Sequence, residues 1–206
     1  MGDLPDRLKR FWFSLEDRFF AWRYSLDLSG VVANGDLVSN WDQSVRHATA
    51  YQAVWCRNLR KLLAEADLLG LPFERFIDIG SGKGKACFYV HIKRSFKSVI
   101  GVEFSAPLLN IALGNKKRLP SDLIEFVCAD AAQFHLPDGN TIVFMFNPFD
   151  DVILSKFIEL NIEHFRKYQT VIAYSNDLQR STLARLGFET VFRDQTRKIS
   201  LHAYAK

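Results

Sequence analysis

Asp78-Ile79-Gly80-Ser81-Gly82-Lys83-Gly84 closes one apolar run and opens a helical one. Residues 73–79 before it are short and apolar. Residues 83–94 after it space Ala86, Tyr89, Val90 and Lys93 as helix neighbours. Glycines here let the backbone turn sharply and approach a ligand closely. Three readings compete. A phosphate-binding loop needs Gly-x-x-x-x-Gly-Lys-Ser/Thr. No glycine stands at the upstream position, and Lys83 and Lys85 are followed by Gly84 and Ala86. A dinucleotide fingerprint needs Gly-x-Gly-x-x-Gly, and Lys85 takes its last place. An acid followed by Gly-x-Gly-x-Gly fits at every position.

Downstream, strand and helix patterns alternate. Residues 99–104 read as a strand, and 107–117 as a helix with Ser105 at its N-cap. Residues 123–129 form the next strand, followed by Asp130. The unbroken apolar run 141–146 is that of a parallel strand buried on both faces. Residues 150–166 read as a helix, with Asp150 and Asp151 at its N-terminal end. Residues 170–175 are a strand, and 178–186 a helix that Gly187 ends. The last two strands, 188–193 and 198–204, have only a polar turn between them. The pattern predicts an α/β fold: a seven-stranded, mostly parallel, doubly wound sheet with a C-terminal antiparallel hairpin. Ligands bind such sheets beyond the carboxyl ends of the strands.

The residues at those ends carry chemistry. Glu103 ends the strand after the glycine loop and can accept bonds from both hydroxyls of a ribose. That feature alone does not separate a nicotinamide cofactor from another adenosyl ligand. Asp130 ends the next strand and can accept from an adenine amino group, with Ala131 supplying a main-chain donor. Asn147-Pro148-Phe149 end the fourth strand, opposite the reactive end of a cofactor.

With these motifs in order, residues 70–206 resemble the class I S-adenosylmethionine-dependent methyltransferases. The resemblance implies S-adenosyl-L-methionine as cofactor. Gly80, Ser81, Gly82 and Gly84 would lie along its methionyl part, with Asp78 near its ammonium group. Glu103 would hold the ribose and Asp130 with Ala131 the adenine. Asn147-Pro148-Phe149 resembles a shortened Asn/Asp-Pro-Pro-aromatic motif of amino-group methyltransferases, one proline short. The motif makes these three the catalytic candidates. The loop also resembles that of non-SET lysine methyltransferases. The acceptor implied is an amino group, such as a protein lysine. A small molecule or a nucleic acid is the alternative, as is a non-catalytic adenosyl-binding module.

Residues 1–70 break the alternation and read as an N-terminal helical extension, against a methyltransferase-like domain at 71–206. Helical patterns cover 6–26 and 54–69, and a loop covers 29–40. All four tryptophans (Trp12, Trp22, Trp41, Trp55) fall here, in a chain whose aromatic content is 14%. Tyr51 and Trp55 are candidates to line the cofactor site; the other reading packs the aromatics onto the sheet.

The bulk composition bounds the rest. The chain has 206 residues, 48% hydrophobic and 24% charged, which excludes a disordered or collagen-like chain. No apolar run is long enough to span a bilayer, so no membrane partner is expected. Three scattered cysteines suit a reducing cytoplasm. The five histidines lack metal-ligand spacing, and no metal is expected. His135, near Asp130, reads as a surface residue rather than a base. Net charge is +4, concentrated in residues 71–121, where cations at helix ends offset the helix dipole. Oligomeric state is not legible.

Overall fold

The computed structural model describes residues 6–205; the first five residues of the 1–70 extension lie outside it. The glycine loop follows β3 (Arg75–Ile79), the third strand from one edge of a seven-stranded sheet. On one side lie β4 (Ser98–Glu103) and β5 (Ile124–Cys128). On the other lie β6 (Thr141–Phe146) and β7 (Thr170–Ser175), all parallel. β9 (Ile199–Tyr204) runs antiparallel beside β7, and β8 (Phe188–Asp194) pairs with β9 at the edge. The expected sheet is therefore the observed one. β3 and β6 are neighbours although β4 and β5 separate them in sequence. The chain thus switches direction between them, and a crevice opens above their carboxyl ends.

Burial explains the central strands. Every residue from Phe76 to Ile79 and from Thr141 to Met145 is buried, because helices cover both faces. One layer joins α1 (Asp6–Arg23), α3 (Cys56–Asp67) and α4 (Lys85–Lys93). Its core unites Phe20, Leu59, Leu62 and Phe88 with Phe76 and Phe144 of the sheet. The other layer holds α6 (Asp151–Leu160), α7 (Ile162–Lys167) and α8 (Arg180–Arg185), built round Phe157, Phe165 and Ile172. α5 (Ala106–Arg118) connects β4 to β5, and its buried Asn115 donates to the Lys83 and Asp27 carbonyls.

Three local expectations are corrected. The helix expected over 150–166 is two helices. Asn161 turns its amide to the Phe134 and Phe157 carbonyls and accepts from Leu136 N–H, and α6 ends there. Ser105 stands at the N-cap of α5, but its side chain makes no capping bond. Its N–H instead donates to Glu103. The loop over 29–40 contains β1 (Val31–Val32), paired antiparallel with β2 (Tyr51–Gln52). α2 (Asp42–His47) lies between them. The capping role read for Asp150 is observed: its carboxylate accepts from Val152 and Ile153 N–H.

Candidate active site

The glycine loop wraps the end of β4. Gly80 and Ser81 N–H both donate to the Val102 carbonyl at 2.9 Å, and Gly82 N–H donates to Glu103 Oε2 at 2.8 Å. Gly82 has φ +53°, a left-handed backbone, and a Cβ there would run into the Tyr51 ring. At Gly80, φ +78°, a Cβ would lie 2.5 Å from Pro148 Cβ. The glycines therefore form a cradle into which Tyr51 and Pro148 fit.

Three buried carboxylates surround the cradle. Glu103 uses each oxygen once on main-chain N–H groups, Gly82 and Ser105, both at 2.8 Å. A carboxylate has about four lone-pair sites, so acceptor capacity remains on both oxygens. Burial pushes its carboxyl up to about 6, against the opposing pull of those N–H groups. Asp130 accepts from Ala132 N–H at 3.0 Å and from the Ser44 hydroxyl at 2.5 Å. Asp78 lies beneath the loop. Burial, and then the charge of Glu103, push its carboxyl well above the usual range, and the Cys87 thiol lies 3.9 Å away.

A segment of the N-terminal region, residues 44–51, crosses the open end of the sheet. His47 Nδ1 lies 2.7 Å from Asp150 Oδ2, and the Asp150 N–H donates to the His47 carbonyl. Ala48 bridges to Phe149. The Thr49 hydroxyl donates to the Asn147 carbonyl at 2.5 Å, and the Thr49 N–H to the Pro148 carbonyl at 2.9 Å. The Tyr51 ring sits on Gly82, its hydroxyl buried with no bond among the described residues. Burial raises the Tyr51 hydroxyl above the usual tyrosine range.

Under this strap lies a cavity of about 70 Å³. Of the residues expected from sequence, Tyr51, Gly80, Glu103, Asp130 and Ala131 line it, as do Pro148 and Phe149. Asp78, Ser81, Gly82, Gly84 and Asn147 are not in its wall. Asn147 has φ +41°, and its side-chain oxygen accepts from the buried Tyr174 hydroxyl at 2.9 Å. Its amide oxygen is thus engaged with β7. Trp55 precedes α3 and does not line the cavity, and His135 is exposed away from it. Sequence reasoning missed Ser44 and Thr49. Both are short polar residues in irregular chain, and only the antiparallel approach of the strap brings them to the strand ends.

The walls suit an adenosyl amino acid: Gly80 at the edge of the glycine cradle and two acids with spare acceptor capacity; outside the wall, the buried Ser81 hydroxyl has no partner among the described residues. Among the described residues no group of His, Cys, Asp or Glu could hold a metal ion. No helix among them is long and apolar enough to cross a membrane.

Comparison with known proteins agrees with this geometry. The chain has the fold of the L11 ribosomal protein methylase of Lactobacillus delbrueckii subsp. bulgaricus (18% identity, 71% of this chain and 77% of that one, TM-score 0.52). It also matches TrmN from Thermus thermophilus (15%, 74% and 49%, TM-score 0.54). A third match is the magnesium protoporphyrin IX methyltransferase of Synechocystis with bound S-adenosylhomocysteine (14%, 73% and 83%, TM-score 0.51). No curated protein matches the chain by sequence. Fold and cradle define a class I methyltransferase architecture. The family described as "Methyltransferase domain" matches residues 77–165, from β3 into α7. Residues 77–165 thus carry a methyltransferase domain, set in a sheet with the fold of the S-adenosylmethionine-dependent methyltransferases.

Proposed function

We propose that the enzyme methylates an amino group, of the kind a protein lysine carries, and that residues 1–70 cap the site and select the acceptor. One observation carries the proposal. At the carboxyl end of β6 the Asn147 and Pro148 carbonyls both point at Thr49, which satisfies them with one O–H and one N–H. A neutral primary amine offers the same two donors. With both hydrogens held by these carbonyls, its lone pair stays free for attack. The carbonyl pair serves here in place of the Asn147 side chain, whose oxygen already accepts from the Tyr174 hydroxyl.

When bound, S-adenosylmethionine supplies a methyl group already activated on a sulfonium. The chain's own residues then bind and position. Glu103 holds the ribose hydroxyls, while Asp130 and the Ala131 N–H hold the adenine edge. The loop from Gly80 to Gly84, with Ser81, carries the methionyl part, and Asp78 lies on its ammonium side. Phe149 and Tyr51 exclude water from the reacting end and offer ring faces to a cation. Holding acceptor and donor in line supplies up to ~7–11 kcal/mol of the barrier reduction. The 70 Å³ cavity falls well below the ~300 Å³ at which small-molecule sites begin, so binding requires the 44–51 strap to move outward.

The test uses cofactor labelled in its methyl group, with protein, nucleic-acid and metabolite fractions of a lysate as acceptors. Label in protein that survives acid hydrolysis as methylated lysine is the expected result. Label confined to nucleic acid or metabolites refutes the amine assignment. Failure of S-adenosylhomocysteine to raise the melting temperature would refute the cofactor site itself.

A further inference from the structure

α1 faces the wrong way for a simple packing helix. Its inner side buries Phe20 against Tyr89, ring centroids 5.5 Å apart. Its outer side leaves Phe19 62% and Trp22 73% exposed, the two rings packed on each other at 5.7 Å. On a helical wheel these two lie between Arg18 and Arg23, both exposed. The acids of the same stretch are both paired, Asp17 on the inner side and Glu16 at the edge of the outer one. Glu16 pairs with Arg60, and Asp17 pairs with the buried Lys85 at 2.8 Å while accepting from the Cys56 N–H. The outward surface of this stretch is thus aromatic and cationic, with the charges of Glu16 and Asp17 each offset by a paired cation.

We infer that the outer face of α1 adsorbs to anionic lipid surface, with Phe19 and Trp22 entering the headgroup boundary and Arg18 and Arg23 meeting lipid phosphates. An exposed aromatic pair on a soluble chain marks an interaction site. Aromatic rings on one side of a helix with flanking arginines suit the plane of an anionic interface. A second copy of the chain fits less well, because two such faces would oppose arginine to arginine. Single-stranded nucleic acid needs a groove that follows its backbone beside the stacking rings, and a helix surface is convex. The absence of a spanning segment concerns insertion through a bilayer and leaves adsorption open.

Flotation of the full chain with phosphatidylglycerol-containing vesicles, and with pure phosphatidylcholine vesicles, tests this. Binding is expected to the first and to be much weaker with the second. Arg18→Glu/Arg23→Glu should weaken it by at least about thirty-fold, as loss of two cations near an anionic surface requires. Phe19→Ala/Trp22→Ala should also release the chain. Urea melts of both variants should match the parent, since the altered side chains face solvent. Equal binding to both vesicle types, no binding to either, or binding undiminished in Phe19→Ala/Trp22→Ala would overturn the inference. So would a gel shift with homopolymer RNA, or a dimer in solution, that the aromatic variant abolishes while vesicle binding is absent.

Discussion

Binding of S-adenosylhomocysteine should strengthen as pH rises through about 6, and Glu103 is the reason. Burial raises this carboxyl from 4.5 to about 6, so the folded chain holds the proton more tightly than the unfolded chain. The contribution to stability is full below 4.5 and is lost as pH rises through about 6. The gap of about one and a half pH units, at about 1.4 kcal/mol each, makes ionised Glu103 cost about 2 kcal/mol of stability at neutral pH. Ribose hydroxyls donating to the proposed site would favour the ionised form. Ligand binding should therefore release a proton, and affinity should climb up to about tenfold per pH unit below 6. The assay is the ligand-induced rise in melting temperature at about pH 5 and about pH 7, at fixed ligand concentration. Glu103→Gln keeps the volume and one acceptor but cannot ionise, so its ligand response should be weaker and flat with pH. An equal rise at both pH values in the parent would refute the reasoning. A pH dependence that persists in Glu103→Gln would refute it too.

Gly82→Ala should cost more than ~2 kcal/mol in urea melts, since handedness alone costs ~1–2 kcal/mol and the new Cβ also meets the Tyr51 ring. Adding Tyr51→Ala should restore the crowding part and leave the backbone part; no recovery would place the cost elsewhere. Asn161→Ala should lose ~2–4 kcal/mol, because its buried amide makes three bonds joining α6 to the loop over 134–136. Its ligand-induced shift should persist, and loss of that shift would tie this junction to the site.

The parallel sheet was legible because its strands are continuous apolar runs, such as Thr141–Phe146, divided by glycine and acid turns. Those patterns are local and follow from burial on two faces. The split at Asn161 was not legible, because an asparagine inside an amphipathic pattern ends a helix only when distant carbonyls compete for its amide. Glu103 and Asp130 could be found by their place at strand ends. Their partners Gly82 N–H and Ser44 could not, since Ser44 lies eighty-six residues from Asp130 in the chain. The outward turn of Phe19 and Trp22 was equally hidden. An aromatic-rich helix reads as core until Phe20 is seen to take the inner side and Phe19 and Trp22 the outer one.

Ser44, Thr49 and Tyr51 lie within eight residues, yet they hold three different corners of the site. Ser44 occupies Asp130, Tyr51 the glycine cradle, and Thr49 the carbonyls proposed for the acceptor. On the proposed assignments, the first two corners belong to the cofactor and the third to the acceptor. A segment this short does not leave two corners and keep the third in place. Each hydrogen bond it gives up is worth roughly 1 kcal/mol net, or ~1.5–3 kcal/mol for the one to a carboxylate. The several kcal/mol required are available from a ligand with an adenine, a ribose and a charged tail, and not from an amine with two donors. Cofactor should therefore bind first and uncover the acceptor carbonyls. Initial-rate kinetics check this: S-adenosylhomocysteine should inhibit competitively against S-adenosylmethionine and noncompetitively against the acceptor. Random-order inhibition would show that Thr49 leaves without the other two. In that case the strap is three independent contacts and not one latch.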